Sequence, residues 1–390
     1  MKKVTSLLLA AVMVLSLAAC SAGQTNSPPP SDDAASGGGD GKVQVNGMLW
    51  AVEPLPEKTK ITVSYLANST AETATYIADE KGWLEACNLE VEMVYFAGGP
   101  AQMEAINSWD CGTTGIGGMI TGILNYDLKT LGVVAQDRGL FQAFFARKDS
   151  DIVAAGTGHA DVEGLYGTAE TWKGKEIITA VGTANQYTLY NTLKAFGLSL
   201  SDVKVINMDI ATIPVAFLAG QGDVGGVQGM QISDESLQSD DYVIVSSDQM
   251  LECGLSINYV ANPASWGSKQ AAIEKWLELA VMAGSWANEN QQETAEMMVD
   301  MFEIDGYETT IDYNLTMITE NPFTSLDLNY QYFSEKTEDG SALQAEGQLY
   351  DAMVGYVEMG NYTQEQIDSI KAADSFQPEP ILNIYQNAKG

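Results

Sequence analysis

Three short turns of small and hydroxyl-bearing residues carry the groups with which this chain could hold a small ligand. Each turn follows an extended stretch and precedes a helical one: Gly98-Gly99-Pro100, Thr114-Gly115 and Gly182-Thr183. Helix N-termini present unpaired N–H groups and a partial positive charge, which suit an anionic or carbonyl oxygen. Glycine turns of this kind are also common where no ligand binds. None fits a GxGxxG motif in its proper place or a GxxxxGK[ST] motif, which argues against a nucleotide site.

Strands and helices alternate along the part of the chain that carries these turns. Residues 61–65, 91–96 and 176–180 are predicted strands, and helices are predicted over 70–86, from Pro100 onward and over the stretch that ends at Gly197. Residues 112–118 are predicted as a turn into another helix. The alternation indicates an α/β fold with mostly parallel sheets. Ligands of such sheets lie at the carboxyl ends of the strands, where these turns would gather.

The start of the chain has the features of an export signal. Lys2 and Lys3 precede an apolar run over residues 7–17, which ends in Leu17-Ala18-Ala19-Cys20. This run is too short for a membrane-spanning helix. Its end resembles the lipobox of bacterial lipoproteins, where a diacylglyceryl group is attached to the cysteine; an ordinary secretory signal is the alternative. We therefore predict a lipoprotein signal peptide over 1–19, and a lipidated Cys20 with a flexible linker over 20–58. Within this linker residues 42–58 are open to a second interpretation, in which Met48, Leu49 and Trp50 pack on the folded domain.

Composition excludes several classes of function. The formal net charge of −33 disfavours binding to nucleic acid and to anionic lipid, so the membrane contact is expected through the lipid anchor only. Cys87, Cys111 and Cys253 are an odd number without CxxC spacing, so free thiols are expected and no metal site is predicted. The single histidine, His159, lies in a polar segment and makes a Ser-His-Asp triad improbable.

The order of several motifs resembles the solute-binding proteins of ABC transporters of the nitrate/sulfonate/taurine type. The resemblance covers residues 60–380 and rests on KITVSY at 60–65, KGWLE at 81–85, FAGGP at 96–100, DCG at 110–112, WKGKEI at 172–177, GTANQY at 182–187 and GDV at 222–224. It implies a periplasmic-binding-protein-like fold of type II, in which two lobes with mostly parallel sheets are joined by two crossing strands. We place these crossings at Gln142–Arg147 and 256–262. The predicted lobes are 59–144 with 260–390, and 145–259.

The resemblance also implies a function. A monomer, held by lipid on the extracytoplasmic face of the cell membrane, would bind a small solute between its lobes and deliver it to a permease with an ATPase subunit. The solute would be a sulfonate, nitrate, taurine or a related small organic molecule, without a cofactor. The ligand-binding residues predicted at the strand ends are Asn68, Gly98, Gly99, Thr114, Gly115, Thr183, Asn185, Gln186 and Gln228.

The chain departs from the family pattern at the residues that would select the solute. Gln186 stands where the family has a histidine, and the aromatic residues that often follow the GDV strand are missing near Gln228. Arg138 and Arg147 are the basic residues nearest to the proposed site in sequence. Catalysis is not expected, although an enzyme family that makes pyrimidines shares this fold. A lipoprotein that acts as a sensor or scavenger without a transporter is the alternative function.

Overall fold

The computed structural model describes residues 41–389 except Asn68, Asp137 and Asp305. The predicted signal peptide, Cys20 and the linker as far as residue 40 lie outside the described residues. Within them, no helix is both long and apolar enough to pass through a membrane.

Two five-stranded sheets form the framework of the described residues. The first has the order β2-β1-β3-β10-β4, and the second has the order β7-β6-β8-β5-β9. The strands are β1 Thr59–Leu66, β2 Leu89–Phe96, β3 Cys111–Gly115, β4 Lys129–Gln136, β5 Gln142–Arg147, β6 Glu176–Thr179, β7 Lys204–Asn207, β8 Val224–Gln228, β9 Tyr242–Ser247 and β10 Ser256–Ala261.

Helices connect and cover these strands. In the part of the chain that builds the two sheets they are α1 Thr73–Glu80, α2 Trp83–Ala86, α3 Gly99–Glu104, α4 Ile116–Tyr126, α5 Asp151–Ala154, α6 Ala169–Trp172, α7 Ala184–Ala195, α8 Ile213–Leu218 and α9 Asp248–Leu251. The C-terminal part is helical, with α10 Pro263–Glu289, α11 Gln291–Ile304, α12 Ile311–Glu320, α13 Leu326–Ser334, α14 Gln344–Glu358, α15 Gln364–Ala372 and α16 Glu379–Lys389.

Each sheet contains one strand that runs against its neighbours. β10 is antiparallel to β3 and β4, and β5 is antiparallel to β8 and β9. The residues predicted as crossings form interior strands of the two sheets. Nearly all side chains of these strands are buried. The chain changes sheet just before Gln142 and just before Ser256, a few residues earlier than the predicted lobe bounds. The division into lobes stays a prediction.

The prediction of a turn over residues 112–118 is partly wrong. Cys111–Gly115 is the central strand β3 of the first sheet, and the helix α4 begins at Ile116. Gly112 has a packing role. A Cβ on Gly112 would lie 2.2 Å from the backbone oxygen of Ser64 on β1, so only glycine allows the two strands to approach this closely.

The helix predicted over 70–86 is interrupted. A short 3-10 turn over Thr70–Glu72 leads into α1, and Gly82, with a φ of 70°, separates α1 from α2. Positive φ is a conformation that glycine adopts without strain, so this residue ends the helix. Helix α7 ends at Ala195, in agreement with the predicted stop at Gly197. Leu189 and Leu193 lie on its buried side.

Part of the predicted linker belongs to the folded domain. Met48, Val52 and Leu55 are buried in the core around the first sheet. The Trp83 indole N–H donates to the backbone oxygen of Asn46 at 3.1 Å, which fixes the segment on α2. Burial of these three apolar side chains explains why this part of the predicted linker packs on the domain.

Candidate functional site

A cavity of about 230 Å³ lies where the ends of strands from both sheets face each other. The parallel strands β1, β2, β3, β6, β7 and β8 contribute their carboxyl ends, and the antiparallel strands β5 and β10 contribute their first residues. Among the residues that line it are Leu66, Ser69, Gly98, Gly115, Phe141, Gln142, Gly182, Thr183, Met208, Asp209, Gln228, Leu255 and Ser256. This is the position at which open α/β sheets bind ligands.

The predicted site residues divide into two groups. Gly98, Gly99, Gly115, Thr183 and Gln228 line the cavity. Thr114, Asn185 and Gln186 are buried behind the lining. Asn68 lies outside the described residues. Direct contact with a solute stays a prediction for all of them.

The turn at Gly98-Gly99 is shaped by close contact between two helices. A Cβ on Gly99 would lie 2.7 Å from the Cα atom of Gly118 in α4, so the start of α3 packs backbone against backbone. Thr114 belongs to the same contact, because its hydroxyl faces Gly118 and makes no hydrogen bond within the described residues. We interpret Thr114 as a packing residue behind the cavity wall.

The turn at Gly182-Thr183 is held by its own side chains. The Thr183 hydroxyl donates to the Ala180 carbonyl at 2.7 Å and accepts from the Asn185 N–H at 3.2 Å, which caps α7. The Gln186 side-chain oxygen accepts from the Gly182 N–H at 2.8 Å and from the Asn361 amide at 3.1 Å. Gln186 therefore positions the turn and links it to the segment after α14.

We expect Thr183→Ala to reduce the free energy of unfolding by about 1 kcal/mol, because α7 loses its cap. Since Thr183 also lines the cavity, solute affinity should fall by roughly three- to tenfold through one lost neutral hydrogen bond. Thr363→Ala is the matched control, because Thr363 caps α15 in the same way and does not line the cavity. Calorimetric titration with melting curves measures both effects. Equal affinities in the two variants would exclude the Thr183 hydroxyl from the site.

Several residues that line the cavity were not among the site residues predicted from the sequence. Gln142 and Ser256 open the two antiparallel strands. Asn207 ends β7, a strand that was not predicted, and Asp209 lies two residues further on. The alternation of apolar and polar side chains in Val203-Lys204-Val205-Ile206 indicates a strand that leads into Asn207 and Asp209.

The lining is poor in charge. Of the lining residues that the structure describes, none is lysine or arginine, and Asp209 is the one with an ionisable side chain. The two arginines singled out in the sequence lie elsewhere: Arg138 donates to the Gln136 side chain, and Arg147 donates to the carbonyls of Gly222 and Phe217. A charge-paired anion site is therefore absent from the described lining.

A protein-family model described as NMT1/THI5 like matches residues 69–294, which is more than half of the chain. The matched region contains the strands of the second sheet and most of the cavity lining. The chain belongs to the NMT1/THI5-like family.

Curated relatives of this NMT1/THI5-like protein are named as binding proteins. A protein of Brachyspira hyodysenteriae, named as an ABC transporter periplasmic binding protein, is 21% identical over 71% of this chain and 76% of its own length. A binding protein of Brucella abortus is 30% identical over 44% of this chain. The match spans about half the length of the Brucella relative, 49%.

Solved structures confirm the predicted fold. The periplasmic aliphatic sulphonate binding protein SsuA of Escherichia coli superposes with a TM-score of 0.59 at 16% identity, covering 80% of this chain and 91% of that chain. The periplasmic nitrate-binding protein NrtA of Synechocystis gives 0.62 at 12% identity, covering 85% and 89%. The NMT1/THI5-like protein therefore has the periplasmic-binding-protein-like fold that the resemblance implied.

Contacts between α7 and the end of α14 link a helix of the second sheet to the C-terminal helices in this NMT1/THI5-like protein. Tyr187 stacks on Tyr356 with ring centroids 5.7 Å apart. Glu358 accepts a hydrogen bond from the Tyr190 hydroxyl, and its carboxylate lies 3.1 Å from the Lys194 ammonium. These polar contacts are exposed, so each contributes little by itself, and together they hold α7 beside the C-terminal helices.

The three described cysteines and His159 of the NMT1/THI5-like protein lie outside the cavity lining. Cys87, Cys111 and Cys253 are free thiols, as expected. The ring of His159 lies 2.9 Å from the Ala195 carbonyl and packs edge-on against Phe196. Within residues 41–389, apart from the three omitted positions, no three metal-binding side chains lie close enough to hold a metal ion.

Proposed function

We propose that this protein is the extracytoplasmic solute-binding component of an ABC importer, which captures a small solute in the cavity between the two sheets and delivers it to a membrane permease with its ATPase subunit. The observation that carries the proposal is the cavity itself. Its walls come from both sheets, and its polar groups are hydrogen-bonding side chains and backbone at strand ends. Such a lining can bind and release a solute without changing it.

The position of the cavity supports a closing mechanism. Residues from the first sheet and residues from the second face each other across it. Among the described strands, the chain passes from one sheet to the other between β4 and β5 and between β9 and β10. Two bodies joined by short segments can rotate about them, so that a bound solute is enclosed. We therefore propose two lobes, a solute-induced closure and recognition of the closed form by the permease.

The names of the solved relatives indicate where the search for the solute begins. SsuA and NrtA are named for aliphatic sulphonates and nitrate. We propose a screen of sulfonates, nitrate, taurine, vitamin precursors and aromatic acids against the purified full chain. Tryptophan fluorescence monitors the thermal unfolding of the protein with each compound. A solute present at 100 times its Kd should add about 2.7 kcal/mol to the free energy of unfolding.

Small-angle scattering then tests closure with the solute that stabilises the protein. The radius of gyration should decrease when this solute is added. A proven ligand that leaves the radius unchanged would contradict closure, and the absence of any stabilising solute in the screen would contradict the proposed function.

For the membrane anchor, we propose attachment through Cys20, which lies outside the described residues. Cys20→Ser should abolish incorporation of radiolabelled palmitate in bacterial cells, because the thiol is the acceptor of the lipid. Cys253→Ser is the control and should remain labelled. Palmitate on the Cys20→Ser variant would contradict this anchor.

A further inference from the structure

Gln142 is a polar side chain enclosed in the wall of the cavity. It is only 2% exposed, and it is the first residue of β5. Its backbone N–H donates to the Asp248 carboxylate at 2.9 Å, and its backbone pairs with Gln228 on β8. The main chain therefore holds Gln142 in place independently of its side chain.

The orientation of the Gln142 amide follows from its neighbours. The Asn185 side-chain nitrogen lies 3.3 Å from the Val227 carbonyl, and a carbonyl only accepts hydrogen bonds, so the orientation of Asn185 is defined. The same nitrogen lies 3.2 Å from Oε1 of Gln142. Oε1 of Gln142 therefore accepts from Asn185, and its Nε2 group points elsewhere.

The Nε2 group is the other polar end of the Gln142 side chain. It donates no hydrogen bond within the described residues, although the side chain is almost completely enclosed and lines the cavity. A donor at the surface of a cavity can pair with a molecule that enters the cavity, and native proteins pair nearly all such groups. An acceptor atom on a solute in the cavity would supply the missing partner.

The chemistry of the other walls restricts this acceptor. The described lining has no lysine or arginine, and the carboxylate of Asp209 is exposed. Burying a full negative charge without a cation is far more costly than burying an uncharged carbonyl. Much of the remaining lining is apolar, including Leu66, Phe141 and Leu255, and it suits a hydrocarbon or ring surface.

We propose that Gln142 is the interior hydrogen-bond donor to the solute, and that the solute presents an uncharged carbonyl or ring-nitrogen acceptor on a largely apolar body; this rests on the proposed function above. The N-termini of α4 and α7 point partial positive charge toward the same cavity, which also suits a carbonyl oxygen.

Two sets of probes and three variants test this proposal. The uncharged set is benzamide, nicotinamide, 2-pyridone and ε-caprolactam, and the anionic set is ethanesulfonate, benzenesulfonate and nitrate. Gln142→Glu keeps an acceptor for Asn185 and, when its carboxyl group is ionised, removes the donor to the solute. Gln142→Leu removes both, and Gln366→Glu adds the same charge at an exposed helix start that does not line the cavity.

Melting curves and calorimetric titration on the full chain measure stability and affinity. We expect at least one uncharged probe to stabilise the wild type and Gln366→Glu equally, and to bind at least roughly tenfold more weakly to both Gln142 variants. An uncharged probe that binds Gln142→Leu as tightly as the wild type would overturn the role of Gln142. Binding of anions alone would overturn the proposed solute class and leave the proposed function standing. Binding of neither set, together with failure of the wider screen, would overturn both.

Discussion

Gly117→Ala is expected to abolish tight solute binding while leaving the protein folded. A Cβ on Gly117, in α4, would lie 2.1 Å from the carbonyl oxygen of Gly182, which precedes α7. These residues belong to connections of different sheets, and both line the cavity. The added methyl group would therefore hold the two sides of the cavity apart. Alanine is the better helix former by about 1 kcal/mol, so α4 itself should not be weakened.

The neighbouring glycine provides the matched control. A Cβ on Gly118 would lie 2.2 Å from the Thr114 hydroxyl oxygen and 3.0 Å from the Cα atom of Gly99. All of these atoms belong to the first sheet or to the helices that connect its strands. Gly118→Ala should therefore lower the free energy of unfolding by roughly 1–3 kcal/mol, as overpacking of a close contact does.

Scattering and titration distinguish the two glycine variants. With a solute identified in the screen, the radius of gyration of the wild type should decrease and that of Gly117→Ala should not. We expect the affinity of Gly117→Ala to fall by roughly a hundredfold, which is about 2.7 kcal/mol. The melting temperature should fall in Gly118→Ala and stay near the wild-type value in Gly117→Ala. Wild-type affinity in Gly117→Ala would show that the closed contact with Gly182 is not needed for binding.

The stability of the protein should decrease between pH 5 and pH 8 because of Asp248. Burial raises the pKa of its carboxyl group to about 7, against the hydrogen bonds that it accepts from the N–H groups of Phe141, Gln142 and Gln249. The Cys253 thiol beside it has a pKa raised to about 12 by burial, so it remains uncharged in this range.

The sign of the pH effect follows from proton binding. The folded state holds a proton on Asp248 up to about pH 7, whereas an unfolded aspartate loses it near pH 4. The folded state therefore binds more protons between these values, and the free energy of unfolding falls as the pH rises through this window. A pKa difference of about three units between the folded and unfolded states changes the free energy of unfolding by about 4 kcal/mol. About 3 kcal/mol of this change occurs above pH 5.

Urea unfolding at pH 5 and pH 8 tests this expectation. The wild type should lose more stability between the two conditions than Asp248→Asn, by on the order of 3 kcal/mol. Asp110→Asn is the control. Burial opposes ionisation of Asp110, but the hydrogen bonds from Lys269, Ser265 and the Thr62 N–H outweigh it and lower its pKa, so it titrates below pH 5. Equal pH dependence in the wild type and Asp248→Asn would contradict the assignment.

The sequence was sufficient to predict the elements whose signals are local. The strands β1, β2 and β6 follow from their apolar residues, and the turns at Gly98 and Gly182 follow from glycine beside a helix start. The fold class and the family follow from the order of the motifs. Five predicted site residues line the cavity because the carboxyl ends of parallel strands meet at one edge.

Features that depend on distant contacts could not be predicted in this way. Gly112 has the local signal of a turn, and its place in β3 depends on the backbone of Ser64, far earlier in the chain. The amide of Gln142 is oriented by Asn185, 43 residues away. Gln186 has a side chain suited to a ligand, but its oxygen is taken up by Gly182 and Asn361.

The late position of β10 in the chain sets the order in which the two sheets can be completed. All five strands of the second sheet come from the continuous stretch 142–247, whereas the first sheet needs β10, at 256–261, between β3 and β4. When the chain folds from its N-terminus, the second sheet can form while β3 and β4 still have unpaired edges. Such edges are sites of aggregation, and pairing across long sequence separations is slow. Folding should therefore be limited by the insertion of β10, and variants that delay it should aggregate from a state with one completed sheet.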